Sequence, residues 1–269
     1  MSQNSDQFQQ YPISPLLAPF VKSIWSLQGN GGPRPPRERI LPDGCVELVI
    51  HFRVPFRNYF ADGTTTLQPI SFVVGQMRQF LEIGPAGQTG FVAVRFSGRG
   101  AYRFFRAPMS EVADLIVPLR EVWNARANEY TDRVAVARGM APRVRIVEQM
   151  LHEALHANRG PDIAVERCVE LIQGAAELPT VQELASTIGV SSRQLGRRFH
   201  NGIGMNPKEF VRVNRFIRAA HRLRAQTDGN FTETAYACGY FDQAHFNHDF
   251  REFAGMTPKE FVTAENVAI

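Results

Sequence analysis

The 269-residue sequence contains no run of ~18 uninterrupted apolar residues, which excludes a helical membrane span on sequence grounds. Its opening stretch, MSQNSDQFQQYP, lacks the basic-then-apolar pattern of a secretory signal, so a cytoplasmic location is expected. Cysteine is scarce. Cys45, Cys168 and Cys238 are odd in number, far apart and without a CxxC spacing, which argues for reduced thiols and against a disulfide framework. Histidine is scarce where an enzyme of the metal-dioxygenase kind would need it. Only His51 precedes His152, whereas such a site takes two or three imidazoles. No metal, cofactor or enzymatic activity is therefore expected.

What is present is ordinary in amount and uneven in placement. Hydrophobic residues make up 44% and charged residues 21%, enough for two domains with their own cores. Net charge is +4, a weak pointer to nucleic acid by itself. Between Ser191 and Arg224 the local balance is +8; from Asp228 to Glu265 it is −5.

Residues 29–44 are rich in Gly and Pro and read as a loop. The runs 45–52, 71–77 and 91–98 are short and rich in Val, Ile and Phe, and predict an antiparallel sheet or barrel. Segments 101–127 and 141–157 have apolar residues at helical spacing. NRGPD, at 158–162, breaks that pattern. All that follows reads as helical.

One phrase occurs twice. GMNPKEFV at 204–211 and GMTPKEFV at 255–262 lie 51 residues apart, and repetition at fixed spacing implies a repeated unit. Each copy starts a helix, with Asn206 or Thr257 as N-cap, Pro at the first helical position and Glu three residues after the cap. Upstream, Leu195 and Phe199 match Phe246 and Phe250 at the same offset, and Ala185 and Gly189 match Ala235 and Gly239 at an offset of 50. Each unit is thus a helix, a glycine turn and a second helix capped by Ser191 or Asp242, the plan of a helix-turn-helix. Between the units, Pro207 to Arg224 has helical apolar spacing at Phe210, Val213, Ile217, Ala220 and Leu223.

LASTIGVSSRQLGRRFHNGIGMNPKEFV, NRFIRAAHRL and TETAYACGYFDQAHFNHDFREFAGMTPKEFV together resemble the DNA-binding domain of AraC/XylS-type transcription regulators. Gly239-Tyr240, Asp242-Gln243, Phe246, Phe250, Gly255 and Thr257-Pro258 carry the resemblance most specifically. It implies an α+β, multidomain chain: a β-rich, cupin-like barrel with helices over 1–157, a linker at 158–162, and an all-α tandem helix-turn-helix domain over 163–263, with units at 181–200 and 232–253. PDGCVELVIHF and VAVRFSGRGAYRFF are the phrases that extend the resemblance, less specifically, to the first half.

The implied function is sequence-specific binding of double-stranded DNA in transcription regulation, with activation and repression both open. RNA polymerase, a small-molecule effector and a second copy of the chain are further partners to expect. Base-reading positions are Arg193, Gln194 and Arg197 in the first unit and Gln243, Ala244, Asn247 and His248 in the second. Arg193 and Arg197, four apart, can reach guanine edges. Ser191, Arg198, Arg212, Arg215 and Arg218 are expected on phosphates. Gly196 removes a reading side chain and costs its helix about 1 kcal/mol relative to Ala.

For an effector the candidates are His51, Phe72, Gln76, Phe91 and Arg95, polar and aromatic groups on the predicted strands. The helix at 142–157 fits either a dimer seam or packing on the sheet. His245 and His248 are three apart, yet flank an aromatic core stripe and lack a third ligand nearby. Two rival readings remain: a DNA-repair protein with Cys45 as alkyl acceptor, or a protein-interaction module whose acidic second unit has left DNA.

Overall fold

The computed structural model describes residues 7–30, 37–123, 125–157, 160–225 and 230–269. Part of the 29–44 loop (31–36) and part of the 158–162 linker (158–159) lie outside the described residues.

The first half builds strands β1 (Gln7–Tyr11), β2 (Val21–Gly29), β3 (Glu38–Ile40), β4 (Glu47–His51), β5 (Phe56–Tyr59), β6 (Thr65–Leu67), β7 (Ser71–Val74), β8 (Leu81–Pro85), β9 (Thr89–Phe96) and β10 (Ile116–Pro118). One sheet runs β1-β2-β9-β4-β7-β10, with antiparallel neighbours throughout. A second runs β3-β8-β5-β6.

The central strands β4 and β9 are apolar on both faces because both faces are covered. Successive side chains point to opposite sides. Leu48, Ile50, Val92, Val94 and Phe96 enter one core, and Val49, Phe91 and Ala93 another. The first core is closed by helices α1 (Leu119–Val122), α2 (Ala127–Val136) and α3 (Met140–Ala157), through Trp123, Tyr130, Val147 and Leu151. The second lies between the sheets, where Phe56 and Ile83 meet Phe72 and Phe91. Two sheets facing each other match the cupin-like expectation.

Segment 101–127 departs from the helical prediction. It forms 3-10 turns at Ala101–Arg103 and Met109–Glu111, then β10 and the single turn of α1. Pro108 and Pro118 interrupt any helix there. Asp114 adopts φ 57°, and the β-branched pair Ile116-Val117 joins β7 as an edge strand.

The second half is α4 (Ile163–Gly174), α5 (Val181–Ile188), α6 (Ser192–Ile203), α7 (Pro207–Ala225), α8 (Phe231–Ala237), α9 (Gln243–Ala254) and α10 (Pro258–Thr263). The caps form as the sequence predicts. Ser191 and Thr257 make reciprocal boxes with Gln194 and Glu260. Asn206 does the same with Glu209, since its amide oxygen accepts from Glu209 N at 2.9 Å while Glu209 accepts from Asn206 N at 2.9 Å. Gly189 and Gly239 turn the chain at φ 75° and 80°, a conformation in which a side chain is strained. Phe199, Phe210, Phe216, Phe246, Phe250 and Phe261 fill the core beneath both units.

One element contradicts the all-helical expectation. After α10 the chain forms β11 (Val267–Ala268), which adds in parallel to β3, Val267 opposite Arg39 and Ala268 opposite Ile40. A two-residue strand has no periodicity to read; the exposed edge of β3 creates it.

Candidate nucleic-acid interface and inter-sheet cavity

Helices α6 and α9, the second helix of each unit, are separated by α7, which packs against both. At ~1.5 Å per residue α7 is about 28 Å long. Each of these two helices docks its C-terminal end on the first half of the molecule. Beyond α6, a Cβ added to Gly204 would lie 2.7 Å from the Met109 carbonyl oxygen, so only glycine allows that approach. Beyond α9, the carbonyl oxygen of Ala254 accepts from Arg39 Nη1 at 2.9 Å, while Arg39 stacks on Phe80 and pairs with Glu82.

The N-terminal parts of α6 and α9 are left open. Arg193, Gln194 and Arg197 are exposed on α6, and Gln243, Ala244 and His248 on α9; Asn247 is half-buried. These ends are the parts of a recognition helix that reach base edges in helix-turn-helix complexes. Arg193 and Arg197 have no ion-pair partner among the described residues. Gln194 is partly committed: its Oε1 accepts from Ser191 N at 2.9 Å and from Ser191 Oγ at 3.1 Å, leaving its amide N–H groups free. Ser191 is thereby held as a cap. Gly196 has open space around it.

The arginines expected on phosphates divide into two groups. Arg212 bridges α7 to α9, with Nη2 2.5 Å from Asp249 and 2.7 Å from Glu252. Arg218 donates to the Ile172 carbonyl at 2.7 Å and the Ala176 carbonyl at 3.2 Å, capping the end of α4. Both are engaged within the fold, each by more than one partner. Their partners lie 37 to 46 residues away, beyond the reach of local pattern. Arg198 pairs with Asp162 at 3.1 Å, and since both side chains are partly exposed the pair contributes at most about 1 kcal/mol. Arg215 lies over the Tyr240 ring and lines an open groove between the units with Thr180, Lys208, His245 and His248.

His248, Asp249 and Glu252 are close enough to share an ion, but the Arg212 guanidinium already supplies their positive charge. Hydrogen bonding to that guanidinium holds the Glu252 carboxyl below the usual carboxylate range. His245 packs edge-on against Tyr240, 5.1 Å between centroids.

A cavity of about 290 Å³ lies between the two sheets. Four effector candidates line it: His51, Phe72, Phe91 and Arg95. The fifth does not. Gln76 is buried and donates to the Gly44 carbonyl at 2.7 Å, outside the cavity lining. Asp43, Cys45 and Glu47 complete the polar end, where Trp25 Nε1 donates to Glu47 Oε1 at 3.0 Å and Arg95 lies 3.4 Å from both carboxylates. Sequence reasoning missed Trp25 and Glu47, although both have the strand parity that faces inward. Ala268 and Ile269, which follow the second unit, also line the cavity.

The thiol of Cys45 is pushed up by burial and then by the Asp43 charge, the opposite of an activated nucleophile. Helix α3 buries Val144, Val147, Met150 and Leu151 in the core that it shares with α2 and the first sheet, so this stripe is covered within the chain. Among the described residues no helix is long and apolar enough to cross a membrane.

Residues 184–264 match the family model described as a helix-turn-helix domain, and residues 9–118 match a domain of unknown function, DUF6597. The HTH-type transcriptional regulator GbdR of Pseudomonas aeruginosa is 33% identical over 97 residues, covering 36% of this chain and 26% of that protein. The HTH-type transcriptional activator RhaS of Escherichia fergusonii is 32% identical over 85 residues, 32% of this chain and 30% of that protein. The chain thus spans less than a third of the length of these relatives. A solved transcriptional regulator with an AraC-type DNA-binding domain, from Chromobacterium violaceum, is 29% identical, covering 37% of this chain and 89% of that one, with a TM-score of 0.35. Tandem capped units, their aromatic core and the family match agree: residues 184–264 form a helix-turn-helix domain, similar in sequence to those of the regulators GbdR and RhaS.

Proposed function

We propose that the chain is a transcription regulator that reads two successive major-groove segments with α6 and α9 and responds to a small effector between its sheets. The observation that carries the reading is the shared posture of the recognition helices: C-terminal ends docked, N-terminal ends open. With α7 as spacer, the open ends can address grooves about 34 Å apart along one side of the duplex. Arg193 and Arg197 read bases in the first unit; Gln243, Ala244, Asn247 and His248 read in the second. Arg198 and Arg215 contact phosphate.

Effector control follows from the way the halves are joined. β11 extends directly from the second unit into the sheet that walls the cavity. Tyr102 Oη donates to Glu166 at 2.6 Å and accepts from Asp162 N at 2.6 Å; Arg78 reaches Glu209 at 3.1 Å; Arg99 pairs with Glu170. A ligand that prefers one packing of this interface shifts the population of DNA-competent molecules by its differential affinity.

Selection of bound fragments from genomic DNA at two salt concentrations tests the reading. The expected product is one motif with two half-sites about a helical turn apart, and affinity that falls steeply with salt. Recovery of unrelated fragments with salt-independent binding would instead favour a protein-interaction module.

A further inference from the structure

We infer that the inter-sheet cavity takes a small protonated amine on an aromatic body, with a hydroxyl at the far end. This rests on the effector reading above. The cavity is near the lower limit for small-molecule sites, so the ligand is small.

Its polar end is unbalanced in charge: Asp43 and Glu47 face it with Arg95 between them. Arg95 is already shared between Asp43 and Glu47, so an anionic ligand meets carboxylates wherever it meets the guanidinium. Glu47 takes a hydrogen bond from Trp25 on Oε1, and the buried Asp43 Oδ2 takes no hydrogen bond, its one charged neighbour being Arg95 Nη1 at 3.4 Å. Burial raises the Glu47 carboxyl and Arg95 opposes this; a second cation would offset the burial further. Trp25, Phe56, Phe72 and Phe91 give walls whose faces attract a cation and accept an aromatic ring.

The opposite end asks for a donor. Gln68 Nε2 donates to Asn58 Oδ1 at 2.9 Å, which turns Gln68 Oε1 toward His51 Nε2 at 3.2 Å. His51 Nε2 is therefore the protonated nitrogen. Its Nδ1 is left as an acceptor, buried and without a partner, on a side chain only 1% exposed. Burial lowers His51 to about 4, so the ring is neutral and needs a donor from outside the protein. Glu47 and His51 share one face of β4, four residues or about 13 Å apart along the strand. One aromatic ring with a short aminoalkyl chain has the length to bridge them.

Calorimetric titration of the full chain with tyramine, phenethylamine and 3-(4-hydroxyphenyl)propionate tests this. Tyramine is expected to bind about tenfold more tightly than phenethylamine, and the acid to bind at least tenfold more weakly than either amine. Glu47→Gln should weaken both amines about tenfold. His51→Phe should abolish the preference for tyramine while leaving phenethylamine binding in place. Tighter binding of the acid, or no binding of either amine, overturns the ligand class. The effector reading has its own arm: Val49→Trp fills the cavity and should change DNA affinity. A folded Val49→Trp protein with parental DNA affinity would sink that reading whatever the titrations show.

Discussion

Arg212 Nη2 lies 2.5 Å from Oδ1 of Asp249, a carboxylate with no exposed surface. The pair clamps α7 to α9. Removing one member leaves a buried charge uncompensated, so Arg212→Ala should cost the C-terminal domain about 3–5 kcal/mol in denaturant unfolding. Arg212→Ala/Asp249→Ala should cost less than the sum of the single changes, as a double-mutant cycle would show. Glu252 adds a pH signature. Its lowered carboxyl contributes stability above the ordinary carboxylate range and loses it as pH falls through the lowered value, so acid destabilisation should be shallower in Arg212→Ala.

Leu41 N donates to the Ala268 carbonyl at 2.9 Å, and Arg39 N to the Asn266 carbonyl at 2.9 Å, so the tail beyond α10 is stitched to the cavity wall. Arg39→Ala removes the charged bond to Ala254 and should loosen this seam by about 1.5–3 kcal/mol. Hydrogen exchange should show faster exchange at residues 39, 41 and 254–268, with the first unit unchanged. Protection equal to the parent's would mean that the tail does not depend on Arg39.

His51 titrates near 4 in the fold against an ordinary value near 6.5. The unfolded chain therefore binds more protons between those values, and stability from this group falls as pH drops from 6.5 to 4. The full loss is about 3 kcal/mol. Thermal unfolding of His51→Phe should lack that part of the pH dependence.

Cys45 should behave as an inert thiol. At pH 7.5 a thiol reagent should modify it far more slowly than it modifies free cysteine, because burial disfavours the thiolate. Mass spectrometry after exposure to alkylated DNA should find no alkyl group on Cys45. Stoichiometric transfer would restore the repair reading.

The parts written in local pattern were legible. The caps at Ser191, Asn206 and Thr257, the turns at Gly189 and Gly239, and the core stripes of α6, α7 and α9 all depend on residues within a few positions of one another. The cavity was legible where strand parity sufficed, as for His51, Phe91 and Arg95. What depended on distant partners was not. The partners that Arg212 and Arg218 find within the fold, Asp249, Glu252 and the α4 carbonyls, cannot be seen from their sequence neighbours. Gln76 has the composition of a pocket residue, but its amide is drawn to the Gly44 carbonyl. The tail strand exists only because β3 offers it an edge. Segment 101–127 misled through apolar spacing that its two prolines override.

Guanine N7 methylation interference on a selected fragment shows directly whether the two open helix ends enter the major groove on one side of DNA. Two clusters of interfering guanines about one helical turn apart are expected, with the one under α6 lost in Arg193→Ala/Arg197→Ala. A single cluster, clusters on opposite sides of the duplex, or a pattern unchanged by that double substitution would contradict this placement.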